Sequence, residues 1–181
     1  MKTVKRSNKV LEAISLPTLC NLNPRSLYNK INEFQEFVRN EDVDIVFLSE
    51  TWERELKTLS EIITLEDYTV ISNVFQRDGV GGRPALVVNN KKFDVRNITN
   101  TIVTVKWGVE AVWAIVTPKQ ISQTSKIQNI ACAAIYSKPG SRHKTDMLNH
   151  LSDAFNIVST KFGRGTHFII AGDTNELRHL S

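Results

Sequence analysis

Only two cysteines occur in the 181 residues, and both Cys20 and Cys132 lie inside apolar, strand-like runs. They read as buried small side chains, which excludes a disulfide framework and a cysteine-rich metal site and fits a reducing interior. Long apolar runs are missing as well. The longest, Ala111 to Val116 and Ile130 to Tyr136, fall far short of the roughly 18 residues a membrane span needs, so no membrane association is expected. The N-terminal MKTVKRSNK lacks the hydrophobic stretch of a secretory signal. No Gly-Lys-Ser/Thr occurs to make a phosphate loop, and in Gly79-Val-Gly81-Gly82-Arg-Pro84 a proline stands where a dinucleotide loop needs its third glycine. Those glycines read as a turn. There is no Gly-x-Ser-x-Gly elbow for a serine nucleophile. His143, His150, His167 and His179 lack zinc-ligand spacing and read as surface or helix residues.

What is present is enough apolar material, 41% of the chain, for one domain with a sizeable core. Residues 1–12 are expected to be a loose N-terminal segment and residues 13–181 the folded unit. Lys and Arg total 23 against 19 Asp and Glu, a net charge of +4 with a pI near 9.1. That excess favours a polyanionic partner. Strands and helices interleave. A strand is expected near Ala13–Cys20, then a helix from about Ser26 to Arg39, capped by Ser26, with Leu27, Ile31, Phe34 and Val38 on its buried face. Asp44 to Glu50 reads as a strand covered on both sides. A short polar helix is expected at Arg54–Leu65. Strand-like runs follow at Tyr68–Val74, Ala85–Val88, Lys92–Arg96, Thr101–Val105, Ala111–Thr117 and Lys126–Tyr136. A second amphipathic helix over Lys144–Thr160 places Met147, Leu148, Leu151, Phe155 and Val158 on one face, and Gly163 with Gly165 closes it. The class is α/β.

Four of the apolar runs end in polar, chemically useful groups: Asn21-Leu-Asn23, Ser49-Glu50, Tyr136-Ser-Lys138 and Asp173-Thr-Asn175. In layered α/β folds the carboxyl ends of buried strands gather at one rim, where ligands bind. Carboxylates are hard ligands suited to Mg²⁺, and amide and phenol groups donate to phosphate oxygens. Together they make the kit of a phosphoesterase. Each residue alone has a plainer reading: Asp173 as the start of a turn, Glu50 as an exposed loop residue, Tyr136 as a strand aromatic with its hydroxyl at the surface. Their conjunction is what points to chemistry.

At these residues the sequence resembles the endonuclease/exonuclease/phosphatase superfamily, the DNase I-like proteins, and within it the endonuclease domains of non-LTR retrotransposons. The resemblance rests on Asn21-Leu-Asn-Pro-Arg-Ser-Leu-Tyr-Asn-Lys-Ile31, Asp44-Ile-Val-Phe-Leu-Ser-Glu50-Thr-Trp52, Gly81-Gly82, Ala134-Ile-Tyr136-Ser-Lys-Pro-Gly140 and Phe168-Ile-Ile-Ala-Gly172-Asp173-Thr-Asn175, in that order. It implies a four-layer α/β sandwich, two packed mixed sheets flanked by helices. It implies that Glu50 ligates a catalytic Mg²⁺, with Mn²⁺ as a substitute, and that Asp173 orients or deprotonates the attacking water. By the same resemblance Asn23 and Asn175 hold the scissile phosphate or the metal-side network, Asn21 being the fallback for Asn23, and Tyr136 stands beside the phosphate. Arg25 lies where some relatives carry a second acidic ligand.

The implied activity is metal-dependent cleavage of DNA phosphodiesters, a nick of the retrotransposon type, by an intracellular monomer with access to the nucleus. Two alternatives remain open: a phosphatase of the same fold acting on a small or lipid phosphate, and an inactive relic with at most weak DNA binding. Arg142, Lys144 and Lys138 flank the rim and are candidate phosphate contacts, or else simply a solvated loop. On the resemblance the chain is also expected to stop short of the family's last strands, which carry a further aspartate and a terminal Ser-Asp-His. His179 is too close to Asp173 to replace that histidine.

Overall fold

Four successive apolar residues, Ile45–Leu48, form a strand (β2) with every side chain buried, and the layers that cover its two faces organise the rest of the molecule. The computed structural model describes residues 16–54, 57–72, 82–102, 108–119 and 129–175, except the side chains of Ser141 and Arg142. The expected loose N-terminus, the glycines Gly79 and Gly81, and His179 lie outside the described residues. Strand β1 (Leu19–Leu22) runs parallel to β2, which pairs antiparallel with β4 (Ala85–Asn89), itself antiparallel to β3 (Tyr68–Ser72). The second sheet has the order β5 (Phe93–Asn97), β6 (Val109–Pro118), β7 (Ile130–Ser137), β8 (His167–Asp173), with only β7 and β8 parallel. The helices are α1 (Ile31–Asn40), α2 (Leu59–Ile62) and α3 (Ser141–Phe162).

Strand periodicity sorts the side chains into three cores. Ile45, Phe47, Leu86 and Val88 of the first sheet meet Val112, Ala114, Ile130, Cys132 and Ala134 of the second. The alternate residues Trp113, Ala133 and Ile135 pack with Met147, Ala154 and Val158 of α3. On the far side Val46 and Leu48 join Phe34 and Val38 of α1 and Leu59 of α2. The result is the α/β sandwich of two mixed sheets with helices outside. Each fully buried aliphatic or aromatic side chain contributes about 1.5–3 kcal/mol, so the continuous runs in β6 and β7 account for much of the stability. Cys132 lies in the inter-sheet layer, where burial pushes its thiol up to about 12; Cys20 is only half-buried.

Several local expectations shift. Ser26 does not cap a helix: its φ is +76°, its N–H donates to the Glu50 carbonyl at 3.0 Å, and a 3-10 turn at Tyr28–Lys30 precedes α1. The predicted face of α1 holds nonetheless, with Leu27, Phe34 and Val38 buried. In α3 the buried side is Met147, Ala154 and Val158 joined by His143 and His150, whereas Leu148 and Phe155 are exposed. The stripe is rotated from the expected one because small and polar residues, not the largest apolar ones, face the sheet. Trp113 explains one of them, since its indole Nε1 donates to His150 Nε2 at 3.1 Å. His143 and His150 are therefore helix residues but not surface ones; His167 is exposed. The helix expected at Arg54–Leu65 shrinks to α2, a single turn closed by a Thr58–Glu61 capping box. Of the strand expected at Thr101–Val105, Thr101 closes a 3-10 turn over Thr99–Thr101, and residues 103–105 lie outside the described residues. Gly163, at φ +96°, ends α3 as expected.

Candidate active site

Strand direction decides which residues share a rim. Within each sheet the pairings of Leu22 with Leu48, Leu48 with Ala85, and Tyr136 with both Glu110 and Asp173 align the strand ends. The Asn23–Asp173 and Arg83–Glu110 hydrogen bonds then bring the carboxyl ends of β1, β2, β7 and β8 and the amino ends of β4 and β6 to one rim. The inter-sheet rows run out here and polar residues replace apolar ones. Along β8, Ile169 and Ala171 face the other sheet and Asp173 continues the row; along β7, Cys132 and Ala134 are followed by Tyr136.

The two sheets meet through Asn23, whose Nδ2 donates to Asp173 Oδ2 at 2.9 Å. Asn23 Oδ1 accepts the Arg25 N–H at 3.2 Å, so both ends of the amide are engaged and its orientation is set. Asp173 Oδ1 accepts the Asn175 N–H at 3.2 Å, and Asn175 Nδ2 donates to the Ser137 carbonyl at 2.9 Å. Asn23, Asp173 and Asn175 thus form one hydrogen-bonded unit, with Tyr136 on the same rung as Asp173. Asn21, the fallback for Asn23, lies within β1 opposite Phe47; the hydrogen bond to Asp173 is made by Asn23. Gly172 allows the close approach: a Cβ there would sit 1.9 Å from the Ile135 carbonyl oxygen.

Glu50 is the second residue beyond β2 and is half-buried. Its φ is +48°, and neighbours Trp52 at +56° and Arg25 at +47° are left-handed too. Non-glycine residues take this conformation only where surroundings impose it. Here the Glu50 carbonyl accepts the Ser26 N–H and the Thr51 carbonyl accepts the Leu27 N–H at 3.1 Å, while the Ser49 N–H bonds Leu22. The turn is held from its far end by Glu53, completely buried, whose Oε1 accepts the Leu59 N–H at 2.6 Å and the Ser72 hydroxyl at 2.8 Å.

Among the described residues no three His, Cys, Asp or Glu side chains group into a closed metal cage. A carboxylate such as Glu50 is a hard oxygen ligand of the kind Mg²⁺ takes, an ion that keeps several waters and completes its shell with substrate phosphate oxygens. Of the basic residues, Lys138 follows Ser137 directly and so stands next to Asn175, while Lys144 lies in the first turns of α3. Both are half-buried. The Arg142 side chain is outside the described residues.

Three residues at the rim escaped the sequence reading. Glu110 is buried on β6 opposite Tyr136, and its Oε2 accepts the Arg83 N–H at 2.6 Å. Arg83, at φ +60°, receives the Thr51 hydroxyl on its carbonyl at 2.5 Å. A lone acid opening an otherwise apolar run was the available signal for Glu110; Thr51 stood inside a motif segment and Arg83 inside the glycine turn, neither with a role.

A model of the family described as Endonuclease/Exonuclease/phosphatase matches residues 12–179. No curated protein sequence matches the chain significantly. In fold, the chain is similar to humanized D. rerio TDP2 carrying 14 mutations (TM-score 0.58, 15% identity, 88% of this chain and 62% of that one). It is similar also to the endonuclease domain of TRAS1, a telomere-specific non-LTR retrotransposon (0.57, 16%, 86% and 58%). A third is the AP endonuclease LMAP of Leishmania major (0.57, 14%, 86% and 53%). The chain thus spans between 53% and 62% of the length of these structures.

Proposed function

Because this chain belongs to the endonuclease/exonuclease/phosphatase family, we propose that it hydrolyses phosphodiesters with a divalent cation bound at Glu50, and that its substrate is DNA, nicked in the manner of a retrotransposon endonuclease. The observation that carries the reading is the Asn23–Asp173–Asn175 unit, two amides flanking one carboxylate at the rim.

Each carboxylate oxygen of Asp173 accepts one hydrogen bond from this unit and retains a second acceptor position. A water there is aligned for attack and gives its proton to Asp173, as a general base requires. Each amide nitrogen of Asn23 and Asn175 carries two hydrogens, one of which is used within the fold. The other is offered to a non-bridging phosphate oxygen, and the Tyr136 phenol donates from the rung it shares with Asp173. Such preorganised donors matter because they need no rearrangement as charge develops. The cation, Mg²⁺ or Mn²⁺, supplies neutralisation of the charge on the phosphate. A net charge of +4 and the place of Lys138 beside Asn175 favour a polyanion over a small substrate.

The test is nicking of supercoiled plasmid. We expect Mg²⁺-dependent, EDTA-sensitive nicking that Asp173→Asn lowers about 100- to 10,000-fold, the range a general base supplies, and that Glu50→Gln abolishes. Release of inorganic phosphate from a small phosphomonoester without nicking would instead favour a phosphatase, and inertness towards both substrates an inactive relic. Nicking unchanged by Asp173→Asn would overturn the assignment.

A further inference from the structure

We propose that Glu110 is a positioning residue of this site, holding the backbone around Glu50 in the conformation that presents its carboxylate to a divalent cation; the inference rests on the reading of Glu50 as a metal ligand. Glu110 is the only charged residue in β6, whose sequence is VEAVWAIVTP. It is 6% exposed, and an ionisable group is kept in such a place only where partners compensate its lost hydration. An apolar residue of similar size would satisfy packing equally well, so packing does not explain the acid.

Its partners do. Glu110, Tyr136 and Asp173 occupy one rung across three strands, so the acid shares the row of the proposed base and phenol. From that rung Oε2 takes the Arg83 N–H. Arg83 belongs to the other sheet's entry into β4, and its left-handed φ turns its N–H to Glu110 and its carbonyl to Thr51. The Thr51 hydroxyl bonds that carbonyl, and Thr51 is completely buried between Glu50 and Trp52, both left-handed. A continuous path therefore runs from the Tyr136 rung through Glu110, Arg83 and Thr51 to Glu50. Glu53 fastens the turn to α2 and β3; Glu110 ties it through Arg83 and Thr51 to the opposite sheet, where Tyr136 and Asp173 reside. Removing the Glu110 carboxylate frees Arg83 and Thr51 to relax towards ordinary backbone angles. Glu50 would then lose its fixed direction, although α1 and both sheets remain.

The experiment is titration of the protein with Mn²⁺, free ion being counted by electron paramagnetic resonance without nucleic acid, alongside thermal melting. We expect Glu110→Ala to weaken Mn²⁺ binding by about 10-fold or more, as loss of a group that orients a ligand does. Glu110→Gln keeps an acceptor oxygen and should restore most of the affinity. In plasmid nicking, Glu110→Ala should raise the Mg²⁺ concentration for half-maximal rate more than it lowers the rate at saturation. A loss of folded fraction would lower the rate at every concentration instead. If Glu110→Ala does not fold, Thr51→Val, which cuts the same path at its other end, decides on the same criterion. Unchanged Mn²⁺ affinity in folded Glu110→Ala, with affinity lost in Glu50→Gln, would refute the role of Glu110 and leave the proposed function standing. Mn²⁺ affinity retained in Glu50→Gln, or absent from the unmodified protein, would overturn the metal reading and this inference with it.

Discussion

Replacing Gly172 by alanine tests the joint between fold and site most directly. Its φ is +148°, and an added Cβ would lie 1.9 Å from the Ile135 oxygen and 2.8 Å from the Ile135 carbon and nitrogen. Ordinary contact begins near 3.4 Å, so β7 and β8 would have to part locally by about 1.5 Å. Gly172 and Ile135 are register partners, and no flexible side chain is available to yield. Two disrupted ladder hydrogen bonds cost about 1 kcal/mol each, and a left-handed alanine adds about 1–2 kcal/mol. The sum, about 3–4 kcal/mol, corresponds to a fall in Tm of roughly 6–16 °C for a chain of this size. Two other glycines calibrate the ladder. Gly163→Ala, at φ +96° but with open space around it, should carry the backbone component alone, about 1–2 kcal/mol. Gly165→Ala, with open space and no left-handed φ, should stay within about 0.5 kcal/mol of the unmodified protein. Thermal melting followed by circular dichroism reads all three. A Gly172→Ala variant that melts within 2 °C of Gly163→Ala, a small part of the expected gap, would show that the strands are not in the close contact described.

Asn23→Asp sets a carboxylate against Asp173 at an exposed position; nicking should fall about 100- to 1000-fold with little change in melting temperature, and equal loss of both would contradict a local effect. The Lys138→Ala/Lys144→Ala pair should weaken DNA binding similarly on all sequences and flatten its dependence on salt, and an unchanged slope in filter binding would remove both lysines from the interface. At the opposite end of the sheets, Lys92 joins Asp42 and the buried Asp44, each at 2.8 Å. Hydrogen bonds to Asp42 and then Asp44 raise its pKa above 10.5. That ion-pair stabilisation is complete below pH 10.5 and lost as pH climbs through the raised value. Burial likewise raises the Tyr68 phenol above 10.0 while Lys92 opposes that rise, so the comparison is made in a Tyr68→Phe background, where Lys92→Met should remove the alkaline loss of melting temperature due to Lys92. Identical pH profiles for the two proteins would refute the assignment.

By itself the sequence determined the α/β class, the buried face of α1, the identity of most strands, and the polar residues at the strand ends. Those features are local: apolar runs, a repeat of three and four residues, and motifs such as Gly172-Asp173 that need no distant partner to be read. The Gly-Asp step was legible as a motif, but its reason, the Ile135 carbonyl against Gly172, belongs to the pairing of β7 with β8. Tertiary structure decided the rest. Ser26 has the composition of a helix cap, yet its N–H is taken by the Glu50 carbonyl, an acceptor 24 residues along the chain, which overrides the local preference. Leu148 and Phe155 are more apolar than His150 and Ala154, but the indole of Trp113 and the flat surface of the second sheet select the smaller and the hydrogen-bonding side chains. Glu110 carried no motif because its meaning is a register: only when β6 pairs with β7, and β7 with β8, does it stand on one rung with Tyr136 and Asp173. Hydrophobic periodicity reports which face of a strand is buried, not which strand lies next to it, and sheet neighbours are settled by packing among segments far apart in the chain.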